Sequence, residues 1–194
     1  MCGTPGRKVG KVREAKGNIW QFLPAPIVVP TNIGWKKDGT NVMGKGLARQ
    51  AAERYPSLPL LLGAYCKERR FYATTWPVEV YSHVTGEIQL LLCFPAKPLT
   101  PGAPQFSWNG KASLALVKKS LATLVLLAST DKRLIKEESI YLPLVGCGEG
   151  GLGEEIVLPL LQEALSDRFV LVWHSSAGVK RPTPVPFHWK GPSI

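Results

Sequence analysis

Two kinds of apolar pattern alternate along this chain. Short apolar runs bounded by turn-forming residues read as strands, and segments with apolar residues every three or four positions read as amphipathic helices. The strand-like runs are Asn18–Phe22, Pro26–Asn32, Val78–Ser82, Ile88–Phe94, Ile140–Val145 and Phe169–His174. Thr85-Gly86 sits between two of them as a hairpin turn. Helical spacing runs over Gly44–Arg54, where Leu47, Ala48, Ala51 and Ala52 share a face. It returns at Leu58–Lys67 after Pro56, at Ser113–Leu127 and at Glu154–Leu165. Strands alternating with helices predict an α/β fold, a three-layer α/β/α sandwich around a mixed, mostly parallel central sheet. No internal repeat is visible.

The chain ends differ from this pattern. Residues 1–16 are rich in Gly, Lys and Arg and predict a flexible basic arm. Residues 175–194 carry Pro182, Pro184, Pro186 and Pro192, and predict an extended tail laid over the core through Phe187 and Trp189. The folded domain is therefore expected over 17–174.

Composition narrows the partners. The 194 residues suit one domain with its own core, and the formal net charge of +10 favours an anionic ligand or nucleic acid. Cys2, Cys66, Cys93 and Cys147 have no zinc-ligand spacing. Cys93 and Cys147 lie in apolar runs as small hydrophobes, which suggests a reducing, cytoplasmic setting. The basic N-terminus lacks an apolar signal-peptide core, and Lys118-Lys119 interrupt the longest apolar stretch, so no membrane association is expected.

Two glycine clusters suggest chemistry. Pro143–Leu152, P L V G C G E G G L, is an apolar run, a glycine loop and the start of a helix. Such a loop at a helix N-terminus is an anion site. Gly146–Gly151 formally matches GxGxxG. A dinucleotide fold, however, needs an acid at the end of the following strand, and Asp167 precedes that strand. Gly39–Gly46 falls short of a P-loop, because Gly46 stands where a Ser or Thr hydroxyl would hold Mg²⁺. What remains is two glycine-rich loops, each opening a helix.

Four ordered segments together resemble the macro domain family: G N I W at 17–20; V V P T N I G at 28–34 with N V M G K G L A at 41–48; C F P A K at 93–97; and P L V G C G E G G L at 143–152. The branch they are most similar to contains the DarG-type DNA ADP-ribosyl glycohydrolase antitoxins and the terminal ADP-ribose protein glycohydrolases. The resemblance implies ADP-ribose or an ADP-ribosylated conjugate as ligand, with no cofactor and no metal. It implies that Asn18-Ile19 meets the adenine, with Asn18 replacing the family's Asp. An Asn of the next region binds the distal ribose. Asn32 and Asn41 are the candidates, and Asn41 is favoured because it directly precedes the glycine loop. Val42, Met43, Gly44, Lys45 and Gly46 would wrap the distal ribose and pyrophosphate. Gly146, Cys147, Gly148, Glu149, Gly150, Gly151 and Leu152 would form the facing wall, and Trp35 and Trp108 would cap the site.

Catalysis by resemblance rests on Lys97, which ends an apolar strand between Pro95 and Pro98. Protein-directed relatives place an Asp where this chain has Gly150. DNA-directed relatives also have Gly there and rely on the lysine. The expected activity is thus hydrolytic release of ADP-ribose, with nucleic acid as the acceptor that the basic charge favours and a toxin as a further partner. Two alternatives stand beside it: an ADP-ribose-1″-phosphate phosphatase, with His83 and His174 unassigned, and a non-catalytic binder of ADP-ribose or an NAD-derived metabolite.

Overall fold

The computed structural model describes residues 11–83 and 85–174. Six strands form one sheet: β1 (Arg13–Lys16), β2 (Ile27–Asn32), β3 (Trp76–Tyr81), β4 (Ile88–Lys97), β5 (Ile140–Leu142) and β6 (Phe169–Trp173). Their order is β1-β6-β5-β2-β4-β3. All neighbours run parallel except β3, which pairs antiparallel with β4.

Period-two alternation divides the core. Val28, Leu92 and Phe94 turn to one face, where α3 (Leu114–Thr130) and α5 (Glu154–Ala164) supply Val117, Leu121, Leu124, Val157 and Leu161. Ile27, Val29, Leu91 and Cys93 turn to the other, against Ala51 of α1 (Gly46–Arg54) and Leu58, Leu62 and Cys66 of α2 (Leu58–Arg69). The expected three-layer sandwich is therefore present. A short α4 (Lys132–Ile135), not expected, follows α3. The Arg168 guanidinium holds it in place by donating to the carbonyls of Ala128, Leu134 and Glu137.

Two expectations need correction. Asn18–Phe22 is not a strand. The Asn18 side chain accepts from Trp20 N at 3.1 Å and caps a 3-10 turn over Ile19–Phe22. The arm expected over residues 1–16 does not extend that far, because Arg13–Lys16 is the edge strand β1, paired with β6, and Val12 is buried. Residues 1–10 and the expected Pro-rich tail over 175–194 lie outside the described residues.

The chain leaves β2 by way of α1 and α2 to reach β3 and β4 on one side. It then crosses through α3 to β5 on the other side. Such a switch in strand order opens a crevice beyond the carboxyl ends of the central strands.

Candidate functional site

That crevice holds a cleft of about 280 Å³. Its floor is the ends of β2 (Pro30, Thr31, Asn32) and β4 (Ala96, Lys97), with Pro143 and Leu144 just after β5. Gly44–Ala48 form one wall, Gly146, Gly148, Glu149 and Gly150 the facing wall, and Trp108 and Asn109 a third side.

Both walls end at helix N-termini, as expected. α1 begins at Gly46, whose φ of +57° is a conformation that favours glycine. Its first hydrogen bond is Arg49 N to Lys45 O, which leaves the amides of residues 46–48 without intrahelical acceptors. In the facing loop, Gly146 has φ +80° and its carbonyl accepts from Leu152 N at 3.0 Å. Among the described residues nothing accepts from the amides of Gly148, Glu149 or Gly150. Two rows of free donors thus border one cleft, the arrangement that binds phosphate oxygens.

Lys97 stands between them. A bulge places it there: Thr31 pairs with Pro95 but Asn32 with Lys97, so Ala96 is an extra residue on β4. The Ala96 carbonyl accepts from Ser113 N, tying the bulge to the start of α3. Lys97 Nζ is half-buried and donates to the Trp108 carbonyl at 2.8 Å. Burial holds its pKa below the ordinary lysine value, and the charge of Lys45 adds to this while Glu149 opposes it. Lys45 and Glu149 form a 3.4 Å ion pair across the two walls. Both side chains are exposed, so an incoming anion can displace that contact at little cost.

Gly150 is glycine for reasons of space. A Cβ there would sit 2.3 Å from the Gly146 carbonyl oxygen and 2.8 Å from Ala112 Cβ. A side chain at this position would force the loop to shift. Glu149 is the one carboxylate lining the cleft among the described residues. Burial pushes the Cys147 thiol up to about 11, which removes it as a nucleophile near neutral pH. The unassigned histidines lie elsewhere: His83 makes an edge contact with Tyr81, and His174 is exposed just after β6.

Several expected ligand residues are not in the cleft. Asn41 is 1 % exposed, and its amide nitrogen donates to the carbonyls of Asn32 and Gly34. Asn41 therefore fastens the two ends of the 34–40 insertion, and Asn32 lines the cleft instead. Asn32 is itself braced, donating to Val42 O at 2.8 Å and accepting from Gly34 N at 2.9 Å. Met43 and Ile19 are buried in the core beneath α1 and α2. Trp35 packs against that same core and is not among the residues lining the cleft. Asn18 is exposed and does not line the cleft, and its oxygen accepts from Trp20 N. Cys147 and Leu152 pack on the other core, and Gly151 turns the chain with φ +69°. Sequence reasoning missed Asn109, which carries no motif, and Thr31, which lies within the 28–34 segment but was assigned no role; a loop and a strand end bring them to the cleft. Among the described residues no cluster of His, Cys, Asp or Glu could hold a metal ion, and no helix is long and apolar enough to cross a membrane.

No family model matches the sequence, and no curated protein does. Solved structures do match. The macrodomain of Mycobacterium tuberculosis DarG aligns with 84% of this chain and 97% of its own, at 22% identity and a TM-score of 0.61. The macrodomain of Thermus aquaticus DarG aligns with 84% and 98%, at 23% identity and a TM-score of 0.61. The chain has the macro-domain fold. Thermosipho africanus DarTG, solved in complex with ADP-ribose, matches 88% of this chain at 20% identity and a TM-score of 0.64. This chain spans 43% of that protein's length.

Proposed function

We propose that the cleft binds ADP-ribose and that Lys97 releases it hydrolytically from a conjugate, with nucleic acid the favoured acceptor. The observation that carries this reading is Lys97 Nζ, half-buried at the cleft floor between two walls of free backbone amides. The pyrophosphate is accommodated by those amides and by Lys45, and the distal ribose by Asn32 beside Lys97. The solved ADP-ribose complex of a protein with this fold supports the ligand. The net charge of +10 supports the acceptor.

Burial lowers the Lys97 pKa and so favours the neutral, nucleophilic amine over the ammonium. The amine attacks C1″ of the distal ribose as the glycosidic bond breaks. The bond's electron pair leaves with the acceptor atom, which takes up the proton lost by the amine. Water then displaces the amine, restoring Lys97 and freeing ADP-ribose.

The test offers ADP-ribosylated DNA, ADP-ribosylated protein and ADP-ribose-1″-phosphate to wild type and Lys97→Ala. Release from DNA by wild type only, with ADP-ribose still bound by the variant, supports the proposal. Unchanged release by Lys97→Ala removes Lys97 as the reacting group. Tight ADP-ribose binding without turnover of any substrate leaves a binding module.

A further inference from the structure

The corner where α2 passes into β3 exposes two adjacent aromatic rings next to positive charge. Arg70–Tyr72 forms a 3-10 turn there. Phe71 is 58 % exposed and Tyr72 80 %, while the next residue, Ala73, is fully buried and anchors the turn. Arg70 has φ +48°, which side-chain-bearing residues rarely adopt. Lys119 on α3 reaches across, with Nζ 5.5 Å from the Tyr72 ring and 3.5 Å from the Phe71 carbonyl. Arg69, Arg70 and Lys119 therefore surround two open rings. Glu68 is the nearby acid, 3.6 Å from Arg69.

We propose that this corner is a docking surface for single-stranded nucleic acid, separate from the cleft. Exposed rings alone would suit many partners, and lysines alone any anion. Two solvent-facing rings set among three cations and one acid suit unpaired bases that stack while their phosphates meet Arg and Lys. A duplex keeps its bases stacked on each other and offers the rings nothing. The placement also fits. Thr75 Oγ1 donates to Ser120 O, and Ser120 Oγ donates to Pro95 O, two residues before Lys97. Because β3 runs antiparallel to β4, its first residue, Trp76, pairs with Cys93 near the end of β4 that carries Lys97. The surface and the cleft thus lie at the same end of the sheet. The inference concerns unmodified strand and does not rest on the cleft's chemistry.

Fluorescence anisotropy with labelled, unmodified oligothymidylate and oligouridylate tests it, with a duplex of equal length and polyglutamate as controls. Both single strands, or one of them, should bind wild type with an affinity that falls as salt rises. The variants F71A/Y72A and Lys119→Glu should each lose about tenfold or more of that affinity. Their melting temperatures should match wild type, because all three side chains are exposed. Saturating ADP-ribose should leave the oligonucleotide bound. Wild-type affinity in both variants overturns the proposal. Equal binding of duplex or polyglutamate, or displacement by ADP-ribose, also overturns it.

Discussion

Lys97 is held between opposing influences, and each can be removed singly. Burial and Lys45 disfavour its charged form, and Glu149 favours it. If the neutral amine reacts, activity rises with pH through the lowered pKa. Glu149→Gln removes the influence that raises that pKa, so the rising limb of kcat against pH should move to lower pH. Lys45→Ala removes an influence that lowers it, so the limb should move to higher pH, with a higher KM if Lys45 also meets phosphate. Limbs that coincide in all three proteins would show that Lys97 does not set the profile. The facing loop offers a second comparison. Gly150→Asp forces a Cβ against the Gly146 carbonyl oxygen and should cost about 1–3 kcal/mol, read as a lower melting temperature. Gly148 has nothing within 4 Å of its built Cβ, so Gly148→Leu should melt near wild type, yet its side chain enters the cleft and should weaken ADP-ribose binding in calorimetry. A Gly148→Leu protein that binds ADP-ribose normally would remove that wall from the site.

At the scale of elements, the cleft depends on one loop seated against another. Gly34 lies so close to the 98–110 loop that a Cβ would stand 2.1 Å from the Pro104 carbonyl oxygen and 2.7 Å from Ser107 Cβ. Ser107 is fully buried and accepts from Thr100 N at 2.9 Å, which fixes the loop internally. The same loop presents the Trp108 carbonyl to Lys97. Gly34→Ala should therefore push the loop outward and lower kcat by about tenfold, roughly the effect of losing one charge-assisted hydrogen bond. ADP-ribose affinity should change less, since both amide walls lie elsewhere. Wild-type kcat in a folded Gly34→Ala protein would show that the Trp108 contact is dispensable. This dependence explains what was legible in the sequence. The strong apolar strands, the helices and both glycine loops were readable because periodicity and glycine spacing are local. The surroundings of Asn41 and Trp35 come from packing of the 34–40 insertion, which no local pattern encodes. Asn18 was misread because its side chain caps a turn, while the apolar residues after it look like a strand. Lys97 was legible as the residue that ends an apolar strand, but the bulge that positions it exists only in the pairing of β2 with β4.

For the whole molecule, the open question is where the folded unit begins. The sequence pointed to Gly17, because R-E-A-K at 13–16 shows no apolar alternation and is mostly exposed in the structure. An edge strand of this kind is defined by its neighbour. β1 pairs with β6 over Arg13–Lys16, and Gly17 N donates to the Trp173 carbonyl at 2.9 Å. The Arg13 guanidinium donates to the Asp167 carbonyl and to Ser139 Oγ, joining the β1 edge to the start of β5 and the turn before β6. Val12 is 8 % exposed and belongs to the core shared with α3 and α5. Removing the strand exposes that apolar surface, worth about 1.5–3 kcal/mol for one buried valine. It also leaves the backbone of β6, a strand of five residues with four buried, as an unprotected edge. A chain starting at Gly17 should therefore melt well below one starting at Lys11, and it should aggregate on heating while the longer chain refolds. The cleft lies at the ends of β5, β2 and β4, with β6 between it and this edge, so both chains should bind ADP-ribose equally while folded. Equal melting temperatures would return the boundary to Gly17 and reduce β1 to an appendage. A shorter chain that is both less stable and unable to bind would mean that the edge strand supports the cleft floor through the sheet.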